Sequence, residues 1–537
     1  MTTILLVRGA HIHTLAPGVP QLSSLAIRGD RVLEVSPDPH GLAELTGAGA
    51  LPVDLDGMCL LPGFGDSHVH QIEAGQDLDT VDLAAARSIN DVVDLLRAEA
   101  ERTPAGRWIV ARRGWHEFRL AERRLPTPQD LDRATTEHPV MVRRGSHLAV
   151  LNHAGLHRAG DRAKHNDHGQ PMGIVRGAET IRSLAAEPSS TGIDAQADAL
   201  ARVCSLHASR GLTGVRDAGI TAEELAVYRR LEERGELKIR TDAMMRIPLD
   251  LDRDAKLALV DELGPPPPPR SDFLRVEGVK LYADGRIEDA AMREPYLGRG
   301  DDRGVLYLDA DEVEAVAGGA VSMGWRVGIH TVGDRALDAV LDGYQRIIDT
   351  DPGLPEGWLT VEHALLADAA QRRRVAELGV GVTVQHPLLD GYAGPMIEHW
   401  GPERAAAASP LRGWLDAGAL VAAGSDGHVT PFDPLRSISG LATRRTLDAG
   451  VLGEDERISL EMALRLYSVG AHWLTGWRTP KIGFSPGAFA DFVAFPSCVL
   501  SAPPDALVGG LEPMLTVTGG QATYDPAARW PPTRPPG

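Results

Sequence analysis

The chain has 537 residues, 43% of them apolar and 24% charged, with a net charge of −19 at neutral pH. That length exceeds one ordinary core, so one large domain with additions, or two to three domains, is expected. The acidic balance argues against a nucleic-acid binder, which needs a basic face, and against docking on an anionic membrane.

Three cysteines, Cys59, Cys204 and Cys498, share no short spacing. Neither a disulfide framework nor a Cys-based zinc site is expected from them, and a reducing, cytoplasmic setting fits. The opening Met1-Thr-Thr-Ile-Leu-Leu-Val-Arg8 is too short an apolar run for a signal peptide, and no stretch is long enough to span a bilayer. Only five of the 55 basic residues are lysine: Lys164, Lys238, Lys256, Lys280 and Lys481. A lysine kept in an arginine-dominated chain needs a chemical reason, because the two side chains do different work.

In chain order, residues 1–60 read as all-β, with short β-rich runs at 3–7, 24–27 and 31–35 between Gly-Asp and Pro-Gly turn signals. The other end repeats the style at 491–495, 514–517 and 522–524, and the Pro/Arg-rich tail from Pro526 is expected to be loosely ordered. The two ends are expected to pair into one β-sandwich domain, 1–60 with 480–537. Between them, apolar strands at 215–218, 240–245, 276–281, 326–329, 359–361, 380–384 and 420–423 alternate with helical stretches such as 195–209, 222–234, 311–323 and 367–378. Counting Met58–Leu61 as the first, eight βα units predict a distorted α/β TIM (β/α)8 barrel over 61–479, with active residues at the strand C-terminal ends. The gap from His70 to Thr213 is too long for one connection. It is read as an inserted α/β lid subdomain, 75–210, over the barrel mouth.

The sharpest motif is Pro62-Gly-Phe-Gly-Asp-Ser-His68-Val-His70. Residues i and i+2 of an extended chain point the same way, so both imidazoles can reach one metal. A lone HxH is weak evidence: His11-Ile-His13 is another, in the terminal β segment, and is given no metal role. Partners at later strand ends strengthen the first. Lys280 ends the run from Val276, His330 the run from Trp325, His363 the run from Leu359 and Asp426 the run from Leu420. One polar residue opening a loop is ordinary, but four in strand order after an HxH form a pattern.

That order of HxH, Lys, His, His and Asp resembles the amidohydrolase superfamily. The chain is most similar in style to the branch of YtcJ-like proteins and N-substituted formamide deformylases. The likeness runs nearly end to end: Asp54 to His70, Gly114-Trp115, Leu131-Asp132, His138-Pro-Val140, Gly145-Ser-His147 through Asn152, Val279-Lys-Leu-Tyr-Ala-Asp-Gly285, Glu294-Pro-Tyr296, His330 to Asp334, Val361-Glu-His363, Gln385-His-Pro387, Gly424-Ser-Asp426, Asp433-Pro-Leu435, Ser485-Pro-Gly487 and Ala490 to Ala494.

The resemblance implies a site for one or two divalent ions, usually zinc. His68 and His70 would bind one ion, Lys280 would bridge as a carbamate, His330 and His363 would bind the second, and Asp426 would touch metal and water. A carbamate needs a neutral amine, which lysine supplies and arginine does not; the competing reading of Lys280 is an ion pair with Asp284 or Glu277. Asp426 is the expected general base and proton shuttle. His147, Trp115, Asp284 and Glu288 are the expected contacts to a small-molecule substrate, and a homodimer is left open. The loop Arg286-Ile-Glu288-Asp289, His428 after Asp426, and Gly173 to Arg176 with Glu179 depart from the common pattern, where substrate choice is set. The reaction expected is hydrolysis of an amide, N-formyl or N-acyl C–N bond. A cyclic-amidine or nucleobase deaminase is disfavoured by the intact lysine, and an inactive binding scaffold by the complete set of ligand positions.

Overall fold

The computed structural model describes residues 3–145, 148–160, 173–185, 192–427, 432–474 and 483–531. The chain divides into two compact units, 1–69 with 201–425 and 432–537, and 70–200 with 426–431.

The first unit opens with β1 (Ile4–Ile12), β2 (Leu22–Arg28), β3 (Arg31–Ser36), β4 (Leu51–Asp54) and β5 (Cys59–Pro62). β1, β2 and β3 form an antiparallel meander, while β4 and β5 pair in parallel with successive stretches of β1. β5 is buried throughout. One residue later, β6 (Phe64–Val69) begins and belongs to a different sheet. Gly63 makes the switch possible: a Cβ there would lie 2.2 Å from Thr213 Oγ1. The run 58–61, expected as the first barrel strand, is therefore mostly β5 of the terminal sheet. The first barrel strand is β6, which places His68 inside a strand and not in a loop after one.

The second unit supplies β7 (Ile109–Ala111), β8 (Val140–Arg144), β9 (Leu148–Leu151) and β10 (Ile174–Arg176), in the order β10-β9-β8-β7. One face packs the helix Ile89–Ala100, capped by Ser88, through Val92, Val93 and Leu96 onto Ile109, Val140 and Val142. The four- and three-residue spacing of Ile89, Val93 and Leu96 is the apolar stripe of an amphipathic helix.

The first unit resumes with β11 (Leu212–Ile220), β12 (Arg240–Arg246), β13 (Leu274–Tyr282), β14 (Arg326–Thr331), β15 (Leu359–His363), β16 (Gly381–Val384) and β17 (Leu420–Ala423). Together with β6 they form one parallel sheet of eight, ordered β17-β16-β15-β14-β13-β12-β11-β6. Capped helices separate them, such as Ala222–Glu233 behind the Thr221/Glu224 capping box and Ala310–Ser322 behind Asp309/Glu312. The end strands approach each other where Asp66 on β6 accepts the Ser425 N–H just beyond β17 at 2.9 Å. This is the α/β barrel that the strand–helix alternation predicts.

Its interior is unusually polar near the middle. Arg216, Asp242, Arg326, Thr360 and Glu362 are all buried. Arg216 meets Glu362 at 2.7 Å and Arg326 meets Asp242 at 3.4 Å, so the charges are paired.

β18 (Phe492–Phe495), β19 (Leu515–Thr518) and β20 (Gln521–Tyr524) then complete the terminal sheet, with β18 antiparallel to β5. Arg240 on β12 ties the barrel to this sheet. Its guanidinium holds both oxygens of Asp491 at 2.6 and 3.1 Å and lies 3.5 Å over the Phe489 ring. The chain stays packed past Pro526. Trp530 is buried, 5.5 Å from the Phe492 ring, and its indole N–H reaches Gly520 O at 3.1 Å. An aromatic anchor overrides the loosely ordered tail that the composition suggests up to residue 531.

No helix among the described residues is long and apolar enough to cross a membrane.

Two buried histidines outside the strand ends set an acid limit. Burial pushes His207 down to about 3, and burial with the nearby Arg444 and Arg436 charges does the same to His386. Both stay neutral in the folded chain, whereas the unfolded chain protonates them below an ordinary value of 6.5. The unfolded state then binds more protons, so stability falls as pH drops from 6.5 towards 3. His207→Gln is expected to make that loss shallower, read as urea midpoints measured from pH 7.5 down to about 4.5.

Candidate active site

Within the barrel unit, the C-terminal ends of β6, β13, β14 and β15 converge on three imidazoles and an amine. The His68 and His363 ring centres are 4.7 Å apart, and those of His330 and His363 are 4.8 Å apart. Each ring is oriented by a protein acceptor. His68 Nδ1 donates to Glu362 Oε2 at 2.6 Å, and a carboxylate can only accept. His363 Nδ1 lies 2.7 Å from Gln385 Oε1, whose amide nitrogen donates to Thr383. His330 Nε2 donates to the Gly285 carbonyl at 3.0 Å. In the neutral rings the lone pair therefore sits on Nε2 of His68 and His363 and on Nδ1 of His330. Outer-shell acceptors of this kind fix the tautomer of metal-binding histidines, so the donor set fits a divalent ion.

Glu362 is the residue behind this arrangement. It is fully buried and takes Arg216 at 2.7 Å, Thr360 Oγ1 at 2.8 Å and Thr383 Oγ1 at 2.7 Å besides His68. Burial alone would raise its pKa, but the Arg216 charge, then the His68 hydrogen bond and the Lys280 charge, hold it well below the usual carboxylate range. Gly328 makes room for the pair, since a Cβ there would lie 2.6 Å from both Arg216 Nη2 and Glu362 Oε1.

Lys280 is 1% exposed, with Nζ 5.2 Å from the centre of the Tyr282 ring. Glu277 meets Arg275 at 3.9 Å, and Asp284 accepts backbone N–H groups. Those donors are Val332, Gly333 and Ala291, at 2.9, 2.7 and 3.1 Å. Burial pushes Asp284 up to about 7 against their pull. Its place is to pin the turn after β14 beside His330, whose Nε2 lies 3.8 Å away.

One further acid and a distorted backbone shape the strand ends. Asp66 Oδ1 accepts from His68 N at 3.1 Å as well as from Ser425, and Tyr467 reaches its other oxygen at 3.3 Å. His363 and Ala364 have φ of +70° and +40°, a left-handed conformation that side chains other than glycine rarely adopt and that concentrates at functional sites.

The second unit holds His70 and Asp426. His70 Nε2 is 3.4 Å from Asp426 Oδ1, the His70 N–H donates to Gly427 O at 2.6 Å, and Asp426 also has a positive φ, +55°. Trp115 is buried in that unit's core with its indole N–H on Arg143 O at 2.8 Å. Glu288, in the barrel unit, is half-buried, and its carbonyl accepts Arg299 at 2.8 Å. In the same loop Arg286 lies 3.8 Å from Asp289. His147 and His428 fall outside the described residues, as does the Glu179 side chain.

The model of the amidohydrolase family aligns with residues 52–524. The chain belongs to that family. It is 26% identical to the N-substituted formamide deformylase of Arthrobacter pascens over 91% of this chain and 92% of the deformylase. It is 24% identical to YtcJ of Bacillus subtilis over 88% and 90% of the two chains. Among solved structures, an uncharacterized metal-dependent hydrolase from Pyrococcus furiosus superposes with a TM-score of 0.73 at 27% identity, covering 93% of this chain and all of the other.

Glu362, Gln385, Asp66 and Arg216 are the supporting residues that motif reading passes over. Asp66, Glu362 and Gln385 lie beside the histidines of Pro62–His70, Val361–His363 and Gln385–Pro387, and the signal for them is a polar residue in or next to a buried strand. Glu362→Gln keeps the shape and removes the charge. It is expected to lower affinity for a divalent ion about 10–100-fold, read by competition with a chelator, in a chain whose circular dichroism is unchanged.

Proposed function

We propose that this chain is a metal-dependent amidohydrolase that cleaves an amide, N-formyl or N-acyl C–N bond of a small molecule. The observation that carries the reading is the trio His68, His330 and His363, each ring held by its own acceptor beside the buried Lys280. In this reading His68, His70, Lys280, His330, His363 and Asp426 hold one or two divalent ions, with zinc the first choice for an imidazole-rich set. A bound ion supplies a Lewis acid for the scissile carbonyl and makes its water acidic near neutral pH.

The chain's own groups do the rest. Asp426 takes the proton of the attacking water at its carboxylate. It then delivers that proton to the leaving nitrogen, without which the tetrahedral intermediate cannot expel an amine. The left-handed backbone at Asp426 keeps the carboxylate near His70. In this reading the buried Lys280 adds through its neutral amine to CO2, with one proton released to solvent, and the carbamate so formed would be a metal ligand. The loop with Arg286, Glu288 and Asp289 supplies substrate selection. The similarity to the deformylase over nearly the whole of both chains supports N-formyl amines as the first compounds to assay.

Metal analysis of the gently purified chain is expected to give one to two equivalents, reduced in a His68→Ala/His70→Ala variant. Asp426→Asn is expected to keep its metal and lose about 10²–10⁴-fold in turnover of an N-formyl or N-acyl amine. Near wild-type turnover in that variant would remove Asp426 from the mechanism. Lys280→Ala is expected to lose metal, with part of the activity restored by added short carboxylic acids that replace the carbamate. Normal metal content in that variant would exclude the bridge.

A further inference from the structure

The terminal sheet holds a second group of side chains of metal-ligating type, outside the strand ends of the barrel. His13, Cys59 and Cys498 each offer a ligand atom, and the three atoms lie within 4.8 Å of one another. We infer that these three residues bind a thiophilic d10 cation, zinc or copper(I), that staples the two ends of the chain together.

The placement follows from the sheet. His13 comes directly after β1, and its N–H bonds to Leu60 O at 2.9 Å, which fixes it beside the start of β5. Cys59 opens β5 and pairs with His11 on one side and Phe495 on the other. Cys498 follows β18 by three residues and caps the short turn Val499–Ser501. Residues with no common sequence spacing are thus brought together by strand pairing alone. This reverses the expectation that His11-Ile-His13 and the cysteines are unrelated to metal.

One edge of the group has the length a tetrahedral site requires, and without an ion it is a hydrogen bond between Cys498 and His13. Zinc bonds of about 2.3 Å to sulfur and about 2.0–2.1 Å to nitrogen give a sulfur–nitrogen edge of roughly 3.6 Å. Cys498 Sγ and His13 Nε2 are 3.5 Å apart. Two thiolates and one imidazole leave a fourth position for water with zinc, or complete a trigonal site with copper(I).

Two adjacent thiolates repel each other unless a cation lies between them, and a bound cation deprotonates a thiol outright. Metal binding releases the two thiol protons to solvent, so the charge of a divalent ion is balanced by two thiolates.

Cobalt(II) separates this site from the barrel, whose proposed ligands include no thiolate. The full chain is stripped of metal under reducing conditions and titrated with cobalt(II). A thiolate-to-cobalt charge-transfer band in the near ultraviolet is expected, retained in His68→Ala/His70→Ala and lost in Cys498→Ser, which also loses one zinc equivalent when loaded with zinc. If Cys498→Ser does not fold, zinc-edge absorption of the wild-type chain is expected to show a sulfur shell at about 2.3 Å. Absence of both the band and the sulfur shell overturns the proposal. Recovery of a Cys59–Cys498 disulfide-linked peptide from the chain purified without reductant also overturns it, in favour of a disulfide.

Discussion

A single buried negative charge organises the strand ends of the barrel. Glu362 sits where water cannot screen it, and an ionised carboxylate there is tolerated only because Arg216, Thr360, Thr383 and His68 all donate to it. The cost of burying the carboxylate gives those four donors one stable arrangement. The arrangement fixes the His68 ring and, through Thr383 and Gln385, the His363 ring as well. The geometry of the imidazoles is thus a consequence of charge pairing deeper in the barrel, and Gly328 is the small residue that lets the pair form.

Much of this was legible in the residues. Strand–helix alternation gives the barrel, because buried parallel strands read as apolar runs and each must be followed by a connection long enough to cross over. His330, His363 and Lys280 stand out as polar groups closing such runs. The first barrel strand lies one segment later for a physical reason: Cys59–Pro62 carries the apolar run, whereas Phe64–Val69 is buried throughout yet contains Asp66, Ser67 and His68, and the close contact at Gly63 marks where the chain changes sheets. Glu362 and Gln385 were invisible as functional residues because their roles depend on partners tens to hundreds of positions away. Trp530 shows the same limit: its Pro/Arg-rich context suggests a loose tail, while its packing depends on Phe492 and Gly520.

Polar groups also decide where the barrel strands meet other structure. Asp66 connects β6 to the segment after β17, and Arg240 connects β12 to Asp491 of the terminal sheet. Both are buried ionisable groups, and neither is among the residues expected to do chemistry. In a barrel with few aromatic side chains to spare, such directional contacts set register where apolar packing alone would allow sliding.

The position of β5 between β1 and β18 has a consequence for synthesis of the chain. β18 is its antiparallel partner, yet Phe492 leaves the ribosome 430 residues after Pro62. At roughly 5–20 residues per second, that edge of β5 waits on the order of 20–90 s for its neighbour. The whole barrel is translated while an apolar strand edge of the nascent protein remains open to foreign pairing. Chaperone capture of that edge, and the rate at which ribosomes clear the barrel-coding stretch, therefore bear on soluble yield more directly than does the stability of the finished enzyme.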